Sequence, residues 1–279
     1  MISVLQLGTL DYATGLRLQQ KLVQLRKDRV IGDVLLLLEH APVITLGRNA
    51  KPANVIASPA QLAEQGVEVL ECDRGGDVTF HGPGQLVGYP IFDLRGFNSA
   101  DSKRKSLGVV EYVRGLEEVL IRTCADFRIP SERVPGLTGV WTTPERAGTE
   151  LVASPNGSET RLYTTADAAK IAAIGVHISR GVTSHGFALN VNVDLSYFDL
   201  IVPCGITSKP VTSMAKELGE KLSLQEVAHS VSRNFGVVFQ SQMLWLENLD
   251  SLLDHPVGVP MKTPAELRKM HGEEDTFWA

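Results

Sequence analysis

Two kinds of hydrophobic pattern alternate along the chain, one with a helical repeat and one made of the short apolar runs typical of strands. Residues 106–127 carry the clearest helical pattern, because apolar residues recur there at intervals of three and four. Weaker repeats predict helices over residues 11–29, 213–219 and 223–235, with Asp11 placed to cap the first of them. The chain is therefore expected to contain several amphipathic helices, each with one face available for packing.

Short apolar runs predict strands between these helices. The run at 34–38 is continuously apolar, as expected for a strand that is buried on both faces. A loop at 39–42 and the run VITLGR at 43–48 follow it, and further strands are predicted at 140–142 and 172–178. The stretch 143–166 is rich in polar residues, glycine and proline, which predicts a surface loop or an elongated hairpin. The pattern as a whole predicts mixed α and β structure.

Residues 74–85 depart from both patterns. This run reads RGGDVTFHGPGQ and combines four glycines with Arg74 and His81. Glycine at this density marks places where the chain turns sharply or approaches a ligand closely. Because good strand residues occupy 78–80 and an apolar run follows at 86–92, we predict a strand–loop–strand unit whose loop lies against a bound ligand.

Composition narrows the classes of protein that the chain can represent. It has 279 residues, of which 43% are hydrophobic, enough for one large domain or two small ones. A net charge of -5 argues against a general nucleic-acid-binding role. The first residues lack the pattern of a signal peptide, and no apolar stretch has the length of a bilayer span. We therefore expect a cytoplasmic protein with neither nucleic-acid nor membrane partners.

The three cysteines differ in their surroundings. No CxxC pair is present, so neither a disulfide framework nor a zinc site is predicted. Cys124 lies on the apolar face of the clearest helix and Cys72 has no neighbour that favours a thiolate, so both are interpreted as structural. Cys204 lies between Pro203 and Gly205, a setting that can present a sulfur at a strand end. On spacing alone, a buried structural cysteine remains the commoner explanation.

A cysteine nucleophile needs a partner that favours its thiolate form. The candidates are Lys170 and the histidines, among which His81, His177 and His185 lie in glycine-containing or strand-end contexts and His40 precedes a proline turn. No two histidines have the spacing of a local metal chelate, so a metal site is not predicted. On composition alone, Lys170 is explained as a surface lysine whose stem covers the start of an apolar strand.

Five motifs occur in the order seen in one enzyme family. They are RGGDVTFHGPGQ at 74–85, PGLTGVW at 135–141, KIAAIG at 170–175, GFALNVN at 186–192 and PCGI at 203–206. On these motifs the chain resembles the lipoyl(octanoyl) transferases from about residue 3 to residue 240. The resemblance implies an α+β fold similar to the catalytic domains of biotin and lipoate ligases, with a mixed sheet flanked by helices.

The same resemblance implies a domain organisation. We expect a single catalytic domain over residues 1–240, with a polar insert at about 143–166. Residues 241–279 are expected to form a C-terminal extension, of which residues 244–279 either wrap the surface or are partly mobile. The protein is expected to be a monomer.

An activity is also implied by the resemblance. Members of this family transfer an octanoyl group from octanoyl-acyl carrier protein to a lysine on lipoyl domains of 2-oxoacid dehydrogenase E2 subunits and of the glycine cleavage H protein, through an octanoyl-cysteine thioester. Transfer from a thioester to an amide is downhill, so no cofactor is expected. Three other classes stay open: an ATP-dependent lipoate or biotin ligase of the same fold, a cysteine hydrolase, and a non-catalytic lipoyl-binding protein.

The resemblance finally implies the site residues. Cys204 is the nucleophile that carries the acyl thioester, and Lys170 favours its thiolate form and accepts a proton. Backbone N–H groups near Gly205 or in a turn at 186–188 are expected to hold the oxyanion. The basic run 103–105 is either a docking surface for an acidic carrier protein or a solvated loop. The implied substrate-binding residues are Arg74, Gly75, Gly76, Asp77, Val78, Thr79, Phe80, His81, Ala173, Ile174, Gly175, Gly186, Phe187 and Ala188.

Overall fold

A mixed eight-stranded sheet forms the centre of the computed structural model, which describes residues 1–99, 105–143, 152–153, 159–160, 168–206 and 209–254. The strands are β1 (Ile2–Leu10), β2 (Asp33–His40), β3 (Val43–Leu46), β4 (Glu68–Glu71), β5 (Val78–His81), β6 (Gln85–Ile91), β7 (Ser131–Val134), β8 (Leu137–Thr142), β9 (Val152–Ala153), β10 (Glu159–Thr160), β11 (Ala169–Ser179), β12 (Val182–Asn190) and β13 (Met243–Trp245). The helices are α1 (Tyr12–Lys27), α2 (Pro59–Glu64), α3 (Val109–Asp126), α4 (Met214–Leu218), α5 (Leu224–Val238) and α6 (Leu249–Asp254).

The central sheet has the strand order β13-β1-β2-β6-β12-β11-β8-β7. Neighbouring strands are antiparallel except at one edge, where β13, β1 and β2 run parallel. A second sheet has the order β4-β3-β5, and β9 pairs with β10. The mixed sheet and its flanking helices confirm the predicted fold class.

Helices cover both faces of the central sheet. Along β2, Leu35 and Leu37 pack in one core with α3 and α5, while Leu36 and Leu38 pack in another core with α1. This alternation follows from the two-residue repeat of a strand. The apolar run at 34–38 is thus a strand buried on both faces, as predicted. None of the helices in the described ranges has both the length and the apolar character that a bilayer-spanning segment needs.

The predicted helices are present, with small changes at their ends. The Asp11 carboxylate accepts a hydrogen bond from the Thr14 backbone N–H at 2.8 Å and so caps α1. Ser223 caps α5 in the same way, since its hydroxyl accepts from the Glu226 backbone N–H at 3.3 Å. Each cap satisfies a backbone donor that a helix N-terminus leaves without an intrahelical partner. The strand–loop–strand unit predicted around residues 74–92 is present as β5 and β6.

The domain boundary predicted at residue 240 is not an edge of the folded unit. Beyond it, β13 extends the central sheet by pairing with β1, and Met243 lies opposite Ile2. Leu246 and Leu249 are buried in the core beside α1. The start of the extension therefore belongs to the sheet and core instead of wrapping the surface. A strand of three residues is too short to carry a periodic signal, which is why the pattern did not show it.

Several predicted features fall largely outside the described residues. Within the polar stretch 143–166, the short strands β9 and β10 pair antiparallel. The rest of that stretch, the basic residues 103–104 and the part of the extension after residue 254 lie outside the described ranges.

Candidate active site

A cavity of about 260 Å³ is lined by strands of both sheets and by the loops that connect them. Its lining residues in the described chain are Tyr12, Arg74, Gly76, Asp77, Thr79, His81, Val87, Tyr89, Gly136, Leu137, Thr138, Lys170, Ala173, Ile174, Gly175, His185, Gly186, Phe187, Ala188, Cys204 and Ile206. Each of the five sequence motifs contributes to this lining. The fold therefore brings together motifs that lie far apart in the sequence.

Cys204 lies in a tight turn at the cavity wall. Residues Pro203–Gly205 form one 3-10 turn, in which Cys204 has φ 56° and ψ 20°. A residue other than glycine costs about 1–2 kcal/mol in this left-handed conformation, so surrounding contacts must hold the turn. One such contact is the Val202 backbone N–H, which donates to the Asn54 carbonyl oxygen at 2.7 Å.

The Asp77 carboxylate supports the same turn. It accepts a hydrogen bond from the Asn54 side-chain amide at 2.6 Å and two more from backbone N–H groups. A Cβ atom on Gly205 would lie 2.8 Å from Asp77 Oδ2. Glycine after Cys204 therefore serves a close approach as well as a positive φ of 66°. Asn54 and Asp77 together connect the glycine-rich run to the cysteine turn.

Lys170 reaches the same cavity from β11. The register between β11 and β8 shifts between Lys170 and Ala172, and the Lys170 backbone exchanges hydrogen bonds with Pro210 and Thr212. The ammonium lies 4.6 Å from the centre of the Trp141 ring, and only 7% of the residue is exposed. An aromatic face stabilises a cation placed over it. The interpretation of Lys170 as a surface lysine is therefore wrong.

Arg74 places a buried positive charge at the cavity wall. Its guanidinium donates to the Thr45 hydroxyl and carbonyl oxygens at 2.7–3.1 Å and to the Gly75 carbonyl oxygen at 3.1 Å. All of these acceptors are neutral. Since a guanidinium stays protonated in proteins, this wall keeps a full positive charge.

His81 lines the cavity as a neutral imidazole. Burial lowers the pKa of His81 to about 3. Its Nδ1 lies 2.7 Å from Gln85 Oε1, and the Gln85 amide nitrogen donates to Phe80 O and Asn190 Oδ1. With the amide oriented in this way, Nδ1 carries the proton and donates it, which leaves Nε2 as a hydrogen-bond acceptor.

Two tyrosines that sequence reasoning missed complete this part of the wall. Tyr12 stacks on His81 with ring centres 6.0 Å apart, and the Tyr89 hydroxyl donates to His40 Nε2 at 2.6 Å. His40 Nδ1 donates to the Leu10 carbonyl oxygen at 2.9 Å, and burial lowers the pKa of His40 to about 4. Both tyrosines belong to apolar patterns, in which an aromatic residue signals a core position.

Most of the substrate-binding residues implied by the resemblance line this cavity, but Gly75, Val78 and Phe80 do not. Val78 and Phe80 are fully buried in the core on the opposite side of β5, because alternate residues of a strand point to opposite faces. The Gly75 N–H donates to the Val176 carbonyl oxygen at 3.0 Å. The implied residues that do line the cavity are Arg74, Gly76, Asp77, Thr79, His81, Ala173, Ile174, Gly175, Gly186, Phe187 and Ala188, with Lys170 and Cys204.

The structure corrects one of the two places where backbone groups are expected to hold an oxyanion. The turn predicted at 186–188 is wrong, because these residues lie inside β12 between β6 and β11. The Gly205 N–H is engaged within its own turn, where it donates to the Val202 carbonyl oxygen at 3.1 Å. The expectation of a turn at 186–188 is thus corrected, whereas the expectation that backbone groups near Gly205 hold the oxyanion stays a prediction.

Two cationic side chains, Arg74 and Lys170, line the cavity. Within the ranges that the structure describes, no group of three or more His, Cys, Asp or Glu side chains is arranged to hold a metal ion. The charged side chains in the lining are Arg74, Lys170 and Asp77. A thiol and an ammonium in the same wall are the parts of an acyl-transfer site, since a nearby cation favours the nucleophilic thiolate.

Comparison with known proteins shows which family the chain is similar to. A family model described as the lipoyl protein ligase A/B catalytic domain matches residues 11–236. The octanoyltransferase of Koribacter versatilis is 58% identical over 98% of both chains, and that of Acidobacterium capsulatum is 54% identical over 91% of this chain and 96% of its own.

Solved structures of other proteins share the fold of this chain. The bi-partite lipoate protein ligase of Thermoplasma acidophilum superposes with a TM-score of 0.62 at 15% identity, over 91% of each chain. At this identity the likeness concerns the fold alone. Because the family model covers most of the sequence and the two relatives are more than half identical to it, the chain belongs to the lipoyl protein ligase A/B catalytic-domain family and is an acyltransferase.

Proposed function

We propose that the protein transfers an octanoyl group from octanoyl-acyl carrier protein to a specific lysine on lipoyl domains, by way of an octanoyl thioester on Cys204. The observation that carries the proposal is the placement of Cys204 and Lys170 in the wall of one cavity. The names of the relatives support octanoyl as the acyl group. The proposed acceptors are lipoyl domains of 2-oxoacid dehydrogenase E2 subunits and the glycine cleavage H protein, so the reaction is the first step of endogenous protein lipoylation.

In the first half-reaction, the Cys204 thiolate attacks the carbonyl carbon of the donor thioester. The Lys170 ammonium stabilises this thiolate by its charge before the attack. The new carbon–sulfur bond forms as the bond to the carrier's sulfur breaks, and the leaving thiolate takes a proton from Lys170. The pair begins as a cation and an anion and ends as a neutral amine beside a neutral thioester.

In the second half-reaction, the acceptor lysine attacks the same carbonyl carbon as a neutral amine. The carbon–nitrogen bond forms, the bond to Cys204 breaks, and the proton of the attacking amine passes to Lys170. Cys204 leaves as a thiolate beside the restored ammonium. Both half-reactions use the same pair of side chains, and no ATP is consumed because a thioester lies above an amide in free energy.

The apolar part of the lining suits an unbranched acyl chain. Val87, Leu137, Ile174, Phe187 and Ala188 contribute hydrocarbon surface to the cavity. Each methylene that leaves water for such a surface contributes about 0.8 kcal/mol. The chain is therefore held mainly by burial, and the polar residues of the wall are left to act on the reacting carbonyl.

A transfer assay without ATP tests this proposal. Octanoyl-acyl carrier protein and a lipoyl domain are mixed with the protein, and the mass of the domain is followed. We expect modification by the wild type and by Cys72→Ser, and none above background with Cys204→Ala. Cys72 is a half-buried cysteine outside the cavity lining, which makes its variant a matched control.

A parallel reaction with ATP and free octanoate, and a measurement of released octanoate, extend the assay to the three other classes, and each of the following outcomes contradicts the proposal in favour of one of them. Modification that requires ATP and free octanoate indicates a ligase. Release of octanoate without modification of the domain indicates a cysteine hydrolase. Neither modification nor release indicates a non-catalytic protein.

A further inference from the structure

We propose that an open groove bordered by the Cys204 turn holds the phosphopantetheine arm of the acyl carrier protein, with Lys209 and Lys216 binding its phosphate. This inference rests on the proposed function and adds the route by which the donor reaches Cys204. In an acyl carrier protein, the acyl thioester ends a flexible amide-containing arm that a phosphodiester joins to the protein. Such an arm needs an apolar surface for its hydrocarbon part and a cation for its phosphate.

The groove is separate from the acyl cavity and shares a wall with it. We call it the outer groove; it measures about 690 Å³ and is lined by residues of the segments 195–203 and 209–211, with Ile56, Ile206 and Lys216. Pro203 of the Cys204 turn belongs to this lining, and Ile206 lines the acyl cavity as well. The turn that carries the proposed nucleophile therefore stands between the two spaces.

A small third cavity connects the outer groove to the reacting groups. At about 10 Å³ it is roughly the size of one water molecule. Cys204 and Lys170 line it together with Phe198, Pro203 and Val211, and these last three residues also line the outer groove. Because so small a cavity separates its walls by about the width of one water molecule, the outer groove begins next to Cys204 and Lys170.

Backbone pairing and Trp141 place Lys209 near this junction. The Lys170 backbone N–H donates to the Pro210 carbonyl oxygen at 2.8 Å, and Val211 pairs with Lys170 in a parallel bridge. The ammoniums of Lys209 and Lys170 lie 5.8 and 4.6 Å from the centre of the Trp141 ring, so they are no more than about 10.4 Å apart, the sum of these distances. Lys209 thus brings a positive charge into the outer groove close to the reacting groups.

The arm is long enough to connect Cys204 with this charge. About thirteen bonds separate its sulfur from its phosphorus, which gives a span of about 15 Å when extended, at about 1.2 Å for each bond of an extended amide chain. Since the arm is flexible, it also folds to shorter spans. Cys204 and Lys170 line one water-sized cavity, and Lys209 lies within about 10.4 Å of the Lys170 ammonium, so the phosphate can reach Lys209.

Charge favours the donor arm over the acceptor lysine in this place. The charged side chains of the described lining are Lys209, Lys216 and Asp199, an excess of one positive charge in a chain whose net charge is -5. An anionic phosphodiester is attracted to such a surface, whereas the ammonium of an acceptor lysine is repelled. Ile56, which is 59% exposed, adds apolar surface for the hydrocarbon part of the arm.

The test uses two small donors that differ only in the phosphate, octanoyl-phosphopantetheine and octanoyl-pantetheine. Rapid-quench intact mass gives the second-order rate constant of acyl-enzyme formation for each, without any acceptor domain. In the wild type, the phosphorylated donor should react at least about tenfold faster, the effect of one hydrogen bond to a charged group. The double variant Lys209→Met/Lys216→Met should bring the ratio of the two rate constants close to one, with the loss falling on the phosphorylated donor.

Two further variants control for charge and position. Lys221→Met removes an exposed lysine that lies outside the outer groove, so its ratio should match the wild type. Asp199→Asn removes the opposing charge from the groove and should raise the ratio. A ratio that falls in Lys221→Met as much as in the double variant would show that the preference reflects general surface charge, and would overturn the inference.

The remaining outcomes separate this inference from the proposed function. A wild type that reacts equally with both small donors, or with neither although it reacts with the carrier protein, overturns the inference. So does a double variant that loses the same factor with both donors, because the lysines would then act through Lys170 or through the fold. A loss confined to later transfer to the lipoyl domain assigns the groove to the acceptor and overturns it too. A wild type that forms no adduct on Cys204 even with octanoyl-acyl carrier protein contradicts the proposed function instead.

Discussion

Lys170 is buried in the cavity wall, with only 7% of the residue exposed, and its ammonium lies over the face of Trp141. In the proposed reaction this group first stabilises the thiolate by its charge, then gives a proton to the carrier's leaving thiolate, and in the second half-reaction takes a proton from the acceptor lysine. A guanidinium supplies the charge but is not deprotonated in proteins. Substitutions of Lys170 therefore separate the two roles.

Lys170→Arg is expected to form the acyl-enzyme at a rate closer to the wild type than Lys170→Met does. Transfer from the acyl-enzyme to the lipoyl domain should fall by about 10²–10⁴-fold in both variants, because neither side chain accepts the proton. Rapid-quench mass spectrometry measures the two steps separately. Equal losses in both steps for Lys170→Arg would contradict the division of roles.

At the scale of the element, the turn at Pro203–Gly205 depends on a partner loop. Asn54 contacts it through two groups, its carbonyl oxygen to Val202 and its side-chain amide to Asp77. The amide is the part that mutation can remove. Since the left-handed Cys204 is held by these neighbours, losing the amide should move the sulfur without unfolding the protein.

Asn54→Ala is expected to lower kcat while leaving KM for the carrier protein nearly unchanged. The free energy of unfolding should fall by about 1 kcal/mol, the net value of one hydrogen bond. Asn54→Asp should lower kcat and stability further than Asn54→Ala does, because it places a second carboxylate beside Asp77. Steady-state kinetics and urea unfolding check both variants, and a wild-type kcat in Asn54→Ala would count against the role of this contact.

A second element, β8, supports the Lys170 stem. Gly139 has φ 120°, and a Cβ atom there would lie 2.6 Å from the Ala172 carbonyl oxygen and 3.6 Å from Lys170 Cε. Gly139→Ala is therefore expected to cost about 1–3 kcal/mol of stability and to reduce transfer by displacing β11.

The matched control for this variant is Gly66→Ala. Gly66 also has a positive φ, of 63°, but a Cβ atom there meets nothing within 4 Å. It should lose stability through backbone strain alone and keep its activity. Equal activity in the two variants would show that β8 does not position Lys170.

The sequence predicts elements better than it predicts contacts between them. Helix α3 follows from its periodicity and strand β2 from its continuous apolar run, and the motif order indicates Cys204 and Lys170. Tyr89 and Asp73 carry no such signal, since their hydrogen bonds to His40 and His185 join positions that are far apart in the sequence. The left-handed backbone of His185 likewise cannot be read from the sequence, because glycine is the residue that usually indicates this conformation.

At the scale of the whole molecule, two buried histidines link stability to pH. Burial lowers the pKa of His81 to about 3 and that of His40 to about 4, from 6.5. The unfolded chain therefore binds protons at these side chains near pH 6.5, where the folded protein does not. Their contribution to stability is present above that pH and is lost as the pH falls toward 4.

The urea midpoint of unfolding is accordingly expected to fall between about pH 7 and about pH 5. Each histidine adds a slope of at most about 1.4 kcal/mol per pH unit to the free energy of unfolding. His40→Gln should reduce this slope, because the buried imidazole is then absent. A midpoint that stays constant or rises on acidification would contradict the burial of neutral imidazoles.

The most direct test of the proposed chemistry is the intact mass of the protein shortly after mixing with octanoyl-acyl carrier protein, without any acceptor domain. We expect one added octanoyl group that neutral hydroxylamine removes and that maps to the peptide containing Cys204. It should form in Cys72→Ser and be absent from Cys204→Ala. An unmodified wild type, or an adduct on another residue, would contradict the assignment of Cys204 as the acyl carrier.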